Sequence, residues 1–363
     1  MNPSHQPTLS IDLGALVQNW RKLNSLSALG SAAVIKANAY GLGMEACGLA
    51  LRDAGATRFF VATLDEGRTL REALGEVPWI GVLEGLSDVF AFQKHGLTPV
   101  LNTLEQLHGW RGNAEVAVHV DTGMNRLGLL PSDVAEAAAS DTWQGAETAV
   151  LMSHLASAEE PENPSNRAQL NAFKAAITTA SNRDFIPSFI NSSGHFLGED
   201  FLDIGLGRPG VALYGGNPTP SASANPMQPT VRLSAPLIQL RTVEAGAPVG
   251  YGGTWVARRT THLGVIALGY ADGWPRAASD RLKVRLGNVL CPQVGRVSMD
   301  TAVLDLTDAP ANLRRIGEPV EVIGGDLTLE RFAEGSGTIN YETLTSLSRR
   351  VKRAYLSPER EQQ

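Results

Sequence analysis

The 363-residue chain lacks several features that would place it in a specialised class of protein. Its two cysteines, Cys47 and Cys291, lie far apart without metal-ligand spacing, so no metal site is indicated, and a disulfide between them stays open. The net charge is -6 and there is no basic block, which argues against a nucleic-acid partner. No apolar run reaches membrane-spanning length, and the first residues lack the pattern of a secretory signal. A soluble cytoplasmic protein without a membrane partner is the default expectation.

What the sequence does contain is a regular alternation of short apolar runs and helical patterns. The composition, 43% hydrophobic and 19% charged, is ordinary for a globular protein. From Lys36 onward the alternation yields eight strands separated by helices, with the strands predicted near 32–35, 58–62, 78–83, 99–101, 115–120, 149–154, 188–190 and 203–206. An open doubly wound sheet would alternate in the same way. The number of units favours an α/β fold of the (β/α)8 barrel type.

The pattern changes after residue 214. Residues 215–229 are rich in Pro, Ser, Ala, Gly and Asn and are typical of a linker or an excursion loop. Short β-type runs separated by Gly- and Pro-rich turns follow, and residues 341–353 are predicted to form a final helix. We therefore expect a barrel domain over residues 1–230 and a smaller, mainly β domain over 231–363.

Lys36 ends the first predicted strand, and turn-forming Asn38, Gly41 and Gly43 follow it. A lysine at the end of a buried strand is partly desolvated, which lowers its pKa and favours the neutral amine that Schiff-base chemistry requires. A lysine side chain that extends out of the strand end into water is the plainer interpretation.

Other polar residues also stand where predicted strands end. In a barrel these ends meet at one face, where catalytic groups gather. Each residue alone is more often structural than functional, but together they would line one end of the barrel: His119 with Asp121, His154, Asn191 with Ser192, and Arg208.

The segment after the eighth strand, residues 207–211 (GRPGV), lies where barrels often bind phosphate through backbone N–H groups. Ser192 would add a hydroxyl to this region, and Tyr40 could add another. A phosphate site opposite a Schiff-base lysine indicates pyridoxal phosphate, whose ring is an electron sink for a carbanion.

Six sequence blocks together resemble the alanine racemase family, in the family's order, from about Ile11 to the end of the chain. The blocks are 33–41 (AVIKANAYG), 121–128 (DTGMNRLG), 191–193 (NSS), 208–215 (RPGVALYG), 269–273 (GYADG) and 295–300 (GRVSMD). The resemblance implies a pyridoxal phosphate-dependent racemase that acts on a small amino acid. It also implies a homodimer with shared active sites.

The resemblance further implies a role for each matching residue. Lys36 would hold the cofactor as an internal aldimine and act as one proton-transfer base, and Tyr270 would act as the other base from the opposite face. A tyrosine is a poor base at its usual pKa of about 10, and the family supports it through a histidine and an arginine, here His154 and Arg208. Arg126 and Met299 would bind the substrate carboxylate. Tyr40, Ser192, Gly210 and Val211 would bind the phosphate, and His119 and Asp300 would have supporting roles.

The chain departs from the family pattern at several positions. His119 stands where many members have a lysine, often carbamylated, that orients the arginine; an imidazole or a bound anion must then position Arg126. Arg349 stands where many members have a phosphate-binding tyrosine. Ser298 replaces a common cysteine and Leu42 a common histidine, and neither change removes a catalytic group.

The expected activity is the interconversion of L-alanine and D-alanine by two bases. One alternative is a racemase of broader specificity, which the pocket around Met299 and Tyr251 would decide. The other is a non-catalytic pyridoxal phosphate-binding protein, but such proteins resemble the barrel alone, and the second domain with Tyr270 argues against it. Lys36 and Tyr270 lie in different predicted domains, and the resemblance places them in different chains of a head-to-tail dimer.

Overall fold

Strand pairing divides the chain into two units. The computed structural model describes residues 6–111, 115–182, 184–222 and 224–356. One unit is Ala15–Gln228, and the other combines the chain before it with the chain after it. In the described residues, no helix is both long enough and apolar enough to cross a membrane.

The Ala15–Gln228 unit is built on seven parallel strands that pair in sequence order. They are β2 (Ala33–Val34), β3 (Arg58–Val61), β4 (Trp79–Val82), β5 (Thr98–Leu101), β6 (Glu115–His119), β7 (Thr148–Met152) and β8 (Ile186–Ser188). The helices are Leu13–Leu26, Met44–Asp53, Leu64–Leu74, Val89–Lys94, Leu104–Gly109, Val134–Ala139, Asp141–Gly145, Pro164–Thr179 and Glu199–Leu202. β3, β4 and β5 are almost wholly buried, as expected for parallel strands covered on both faces.

The eighth position of the barrel is a short extended segment rather than a full strand. Leu206 bridges to Ser188 and Gly207 bridges to Ser31, which joins the last strand to the first. The predicted strand at 203–206 is therefore wrong in extent, because a helical turn precedes it and Pro209, which has no N–H, cannot continue the ladder. The predicted (β/α) barrel is confirmed.

The second unit is mainly β. Its strands are β1 (Thr8–Asp12), β9 (Val231–Val243), β10 (Pro248–Val249), β11 (Trp255–Val256), β12 (Thr261–Ile266), β13 (Lys283–Leu286), β14 (Val289–Pro292), β15 (Ala302–Asp305), β16 (Pro319–Ile323) and β17 (Lys352–Leu356). The main path runs β14-β13-β16-β9-β1-β17, and β12 pairs with β9 and β15. Two helices, Leu329–Ser336 and Asn340–Ser346, precede the last strand.

Two sequence expectations differ from this arrangement. The predicted final helix over 341–353 is wrong: the helix ends at Ser346, and β17 pairs in parallel with β1. β1 also pairs with β9, so it groups with the β unit and not with the barrel, although the sequence predicts one barrel domain over residues 1–230. In both cases pairing between distant segments decides the outcome, and local pattern does not contain it.

Candidate active site

Lys36 opens a single left-handed turn, Lys36–Tyr40, directly after the first barrel strand. Ala37, Asn38 and Ala39 have φ of 52–54° and ψ of 47–52°, and Tyr40 has φ of 53°. Residues with a Cβ in this region cost about 1–2 kcal/mol each, so the turn needs outside support. Part of that support comes from Asn38, whose Oδ1 accepts a hydrogen bond of 2.8 Å from the N–H of Met44.

The pKa of Lys36 is lowered from its ordinary value. Burial is the largest cause and the nearby charge of Arg126 adds to it, while the charge of Glu66 acts in the opposite direction. A lowered pKa increases the fraction of neutral amine, which is the form that condenses with a carbonyl and accepts a proton.

Arg208 is buried, follows the segment that closes the barrel beside β2, and is held by three groups. Nη1 donates to Ser188 Oγ at 2.6 Å, Nη2 donates to the carbonyl oxygen of Ser153, and Nη2 lies 3.4 Å from His154 Nδ1. Burial lowers the pKa of Arg208 to about 9, so the guanidinium is still charged at neutral pH. The structure thus brings together the histidine and arginine that the sequence pairs.

His154 stays neutral beside these cations. Burial lowers its pKa well below the ordinary value, and the charges of Arg208, Arg126 and Lys36 lower it further. A neutral imidazole can accept a hydrogen bond from one neighbour and donate one to another, so His154 can act as a hydrogen-bond relay.

His119 is buried, and its tautomer is set by Asn102. The Asn102 side chain donates from Nδ2 to the carbonyl of Val100 at 2.9 Å, which leaves Oδ1 to accept from His119 Nδ1 at 3.0 Å. Burial, and then the charges of Arg208 and Arg126, lower the pKa of His119 to about 4. The imidazole is therefore neutral at pH 7, with Nε2 as an acceptor.

The loop that carries Arg126 is shaped by Asp121. Asp121 Oδ1 accepts hydrogen bonds from the backbone N–H groups of Gly123, Met124 and Asn125 at 2.9, 2.9 and 3.1 Å. Burial alone would raise the pKa of this carboxyl, but the three hydrogen bonds lower it. Arg126 is exposed at the end of this turn, where it can bind an anion.

A cradle of hydroxyl and backbone groups lies where the sequence predicts a phosphate. Ser192 Oγ accepts from the N–H of Gly210 at 3.0 Å and of Ala212 at 3.2 Å, so its own proton remains to be donated. The buried Oγ of Ser193 has no hydrogen-bond partner among the described residues. A Cβ at Gly210 would stand 2.2 Å from Tyr40 Oη, so only glycine lets the two groups approach. This donor set fits a phosphate.

The β unit positions the second set of predicted residues on two adjacent loops. The N–H of Tyr270 donates to Ser298 O at 3.0 Å and that of Ala271 donates to Met299 O at 2.9 Å, so the loops lie side by side. Tyr270 is 41% exposed and Met299 is 53% exposed, which leaves both available to a ligand.

Charged side chains tie these loops together. Asp272 Oδ2 accepts from the N–H of Gly269 at 2.9 Å. Arg350 reaches Asp272 Oδ1 at 3.1 Å through Nε and Asp300 Oδ1 at 2.7 Å through Nη2. Arg350 therefore connects the Tyr270 loop to the Met299–Asp300 loop, whereas a phosphate role for neighbouring Arg349 stays a prediction.

Each unit thus gathers one part of the predicted set. The barrel holds Lys36, Tyr40, His119, Arg126, His154, Ser192, Arg208, Gly210 and Val211, and the β unit holds Tyr270, Met299 and Asp300. The sequence interpretation missed Glu66, Asn102 and Arg350. Asn102 follows a barrel strand and could have been found by that rule, but the other two had no comparable signal.

Family models match most of the chain. The model described as alanine racemase, N-terminal domain, matches residues 11–218, and the model described as alanine racemase, C-terminal domain, matches residues 230–355.

Named relatives agree over nearly the full length. A catabolic alanine racemase of Agrobacterium fabrum is 45% identical over 361 residues, covering 96% of this chain and 92% of that protein. An alanine racemase of Methylobacterium nodulans is 44% identical, covering 97% of each. The crystal structure of alanine racemase from Bartonella henselae with covalently bound pyridoxal phosphate superposes with a TM-score of 0.90 at 36% identity, covering 97% of this chain and all of that one.

Proposed function

This chain belongs to the alanine racemase family, and we propose that it interconverts L-alanine and D-alanine with pyridoxal phosphate bound through Lys36. The observation that carries the proposal is a lysine of lowered pKa at the mouth of the same barrel that holds the hydroxyl and amide cradle of Ser192 and Gly210. When bound, the cofactor supplies the electron sink that makes an amino-acid α-proton removable.

The chain's own residues divide the remaining work. Tyr40, Ser192, Gly210 and Val211 bind the phosphate, and Arg208 supplies a permanent positive charge at the ring. These groups fix the cofactor, so that proton transfer takes place at one carbon in a fixed orientation.

Substrate binding falls to Arg126 and the backbone of Met299. A guanidinium binds a carboxylate through two parallel hydrogen bonds and so fixes its plane as well as its position. Neutral His119 presents Nε2 as an acceptor that can position Arg126 without any carbamate.

Two bases on opposite faces complete the reaction. Lys36 Nζ holds or returns the proton on one face of the α-carbon and Tyr270 Oη does so on the other, with His154 and Arg208 supporting the tyrosine. Inversion requires both, because a proton removed and returned on one face restores the original enantiomer.

We further propose a homodimer in which the Lys36 set of one copy is completed by the Tyr270 set of its partner. We also place the enzyme in the cytoplasm, where D-alanine supply for peptidoglycan is the proposed role. Use of D-alanine in catabolism is the alternative.

The cofactor assignment is tested by borohydride reduction of the purified yellow protein and mapping of the adduct by mass spectrometry. The adduct should lie on Lys36, should be absent from Lys36→Ala, and should be unchanged in Lys22→Ala, an exposed lysine bonded to Pro226 O. An adduct on another lysine would overturn the assignment.

The activity is tested by incubating single enantiomers and following their chirality. L-alanine and D-alanine should each approach an equal mixture. Equal or faster racemisation of serine would favour the broader racemase, and cofactor binding without any turnover would favour the binding protein.

The shared site is tested by mixing two inactive variants, Lys36→Ala and Tyr270→Phe. If the bases come from different chains, mixed dimers contain one intact site and activity returns. Heterodimers without activity would place both bases in one chain.

A further inference from the structure

Glu66 joins the turn that carries Lys36 to the end of the neighbouring strand. Its Oε1 accepts a hydrogen bond of 2.6 Å from the N–H of Ala37, and its Oε2 accepts one of 2.8 Å from the N–H of Ala62. Ala37 follows Lys36 directly, and Ala62 follows β3. One carboxylate therefore spans two adjacent barrel strands where they end.

A second strand-to-helix junction in the same barrel shows which of these contacts is routine. Thr103 caps its helix by accepting from the N–H of Gln106 at 3.1 Å, and Gln106 Oε1 accepts from the N–H of Asn102 at 2.8 Å. The same two contacts recur around Glu66: Thr63 Oγ1 accepts from Glu66 N–H at 3.3 Å, and Glu66 accepts from Ala62, again four residues earlier.

The junction itself therefore needs one acceptor oxygen, which a glutamine supplies. The second oxygen of Glu66 is additional, and it is occupied by Ala37. A glutamine at this position would present one oxygen and one NH2 group to two N–H donors, so it could satisfy only one of them.

The turn at Ala37 is where such support matters. Four consecutive residues with a Cβ occupy the left-handed region from Ala37 to Tyr40, and this conformation persists only where its surroundings hold it. A hydrogen bond to a carboxylate is shorter and stronger than one to a neutral acceptor. Glu66 supplies that bond at the first residue of the strained run.

We propose that Glu66 is a positioning residue for Lys36, whose carboxylate anchors the left-handed turn to the end of β3 and so fixes the lysine in the barrel mouth. The inference rests on the proposed function of Lys36. The negative charge of Glu66 also raises the pKa of Lys36 and so favours its protonated amine, whereas burial and the charge of Arg126 lower that pKa. Loss of Glu66 should therefore loosen the turn and lower the pKa of Lys36 further.

The test compares Glu66→Gln and Glu66→Ala with two matched controls. Asp65→Asn removes the same charge from the adjacent position of the same helix, where the side chain is exposed. Gln106→Ala removes only the routine junction contact elsewhere in the barrel. The first readout is hydrogen exchange at the single Ala37 amide, resolved by fragmentation mass spectrometry. The second is the rate of pyridoxal phosphate release, followed by absorbance.

In both Glu66 variants, Ala37 exchange and cofactor release should accelerate about tenfold or more, as loss of a hydrogen bond to a charged group implies. Both controls should stay within about twofold of the parent, since neither side chain reaches the turn. If Glu66→Ala fails to fold, Glu66→Gln carries the test alone.

Wild-type exchange at Ala37 in the Glu66 variants, or equal acceleration in Asp65→Asn, would overturn the inference. The outcome is separable from the proposed function. If the reduced cofactor maps to another lysine, that function fails, while Ala37 exchange still reports whether Glu66 anchors the turn.

Discussion

The two proposed bases are held by different physical means. Lys36 lies on a strained left-handed turn at the mouth of the barrel, which is held by hydrogen bonds from Met44 N–H to Asn38 and from Ala37 N–H to Glu66. Tyr270 lies on a half-exposed loop of the β unit that is fixed through an ion pair with Arg350. Hydrogen bonds from neutral backbone N–H groups are less sensitive to salt than an ion pair whose arginine side chain is 54% exposed.

Both loops nevertheless use the same device. A carboxylate accepts the N–H of the residue next to the base: Glu66 binds Ala37 beside Lys36, and Asp272 binds Gly269 beside Tyr270. What differs is the carboxylate's other oxygen, which meets a backbone N–H in the barrel and a guanidinium in the β unit. We therefore expect the loop that carries Tyr270 to be held less rigidly than the turn that carries Lys36.

Removal of the tyrosine hydroxyl should produce the largest loss of activity. It also distinguishes the contribution of Tyr270 from that of Lys36. Tyr270→Phe keeps the ring but loses the titratable oxygen, so the cofactor should stay bound and coloured. A missing general base costs about two to four factors of ten, and racemisation should fall by that amount in both directions. Measurement of kcat with each enantiomer checks this.

Exchange of the α-hydrogen in heavy water then tests which face each base serves. If Lys36 faces the α-hydrogen of D-alanine and Tyr270 that of L-alanine, Lys36 alone can remove a proton from D-alanine and return a deuteron to the same face. The variant should label D-alanine with retention and leave L-alanine almost unlabelled. Equal labelling of both enantiomers, or faster labelling of L-alanine, would contradict the assignment.

Acid should weaken the barrel half through its buried histidines. His195 links the loop after β8 to Ser31, just before β2, since Nδ1 lies 2.6 Å from Asn191 O and Nε2 lies 3.0 Å from Ser31 Oγ. Burial lowers its pKa to about 4, as it does for His119. Between the unfolded pKa of about 6.5 and the folded pKa, the unfolded chain binds more protons.

The free energy of unfolding should therefore be unaffected by these groups above about pH 6.5 and should decrease as the pH falls toward 4. Each group that must take up a proton contributes at most about 1.4 kcal/mol per pH unit. Urea unfolding at a series of pH values should give a shallower slope for His195→Gln than for the parent, with the comparison at pH 8 as the control. An unchanged slope would show that His195 does not titrate on unfolding.

The sequence predicted the members of the site better than their supports. Lys36, His119, His154 and Arg208 could be found because the carboxyl ends of parallel strands meet at one face of a barrel. The left-handed turn could not be found, since it depends on Glu66, 29 residues further along the chain. In the β unit the site residues were predicted from the family resemblance alone. There a helix was predicted where the chain forms part of β17, the strand that pairs with β1.

The smallest expected effect concerns Arg350, and it sharpens the contrast between the two halves. Arg350→Ala leaves Asp272, whose side chain is only 3% exposed, without its cationic partner and frees Asp300 from the neighbouring loop. We expect kcat to fall about tenfold, equivalent to about 1.4 kcal/mol of barrier, while the cofactor stays bound. Arg259→Ala removes an exposed pair with Asp308 in the same unit and should change nothing.

Comparing the loss for the two enantiomers shows whether Arg350 positions Tyr270 or stabilises the enzyme as a whole. If Arg350 acts by holding Tyr270, deuterium exchange into L-alanine should slow in Arg350→Ala while exchange into D-alanine, served by Lys36, stays near the parent rate. Arg350→Lys should recover part of the loss, because one ammonium restores charge but not the two directed contacts of a guanidinium. Added salt should slow L-alanine exchange in the parent and have less effect in Arg350→Ala, where the screened interaction is already absent. Equal slowing for both enantiomers would mean that Arg350 stabilises the enzyme as a whole, and the two halves would then not differ in the way proposed.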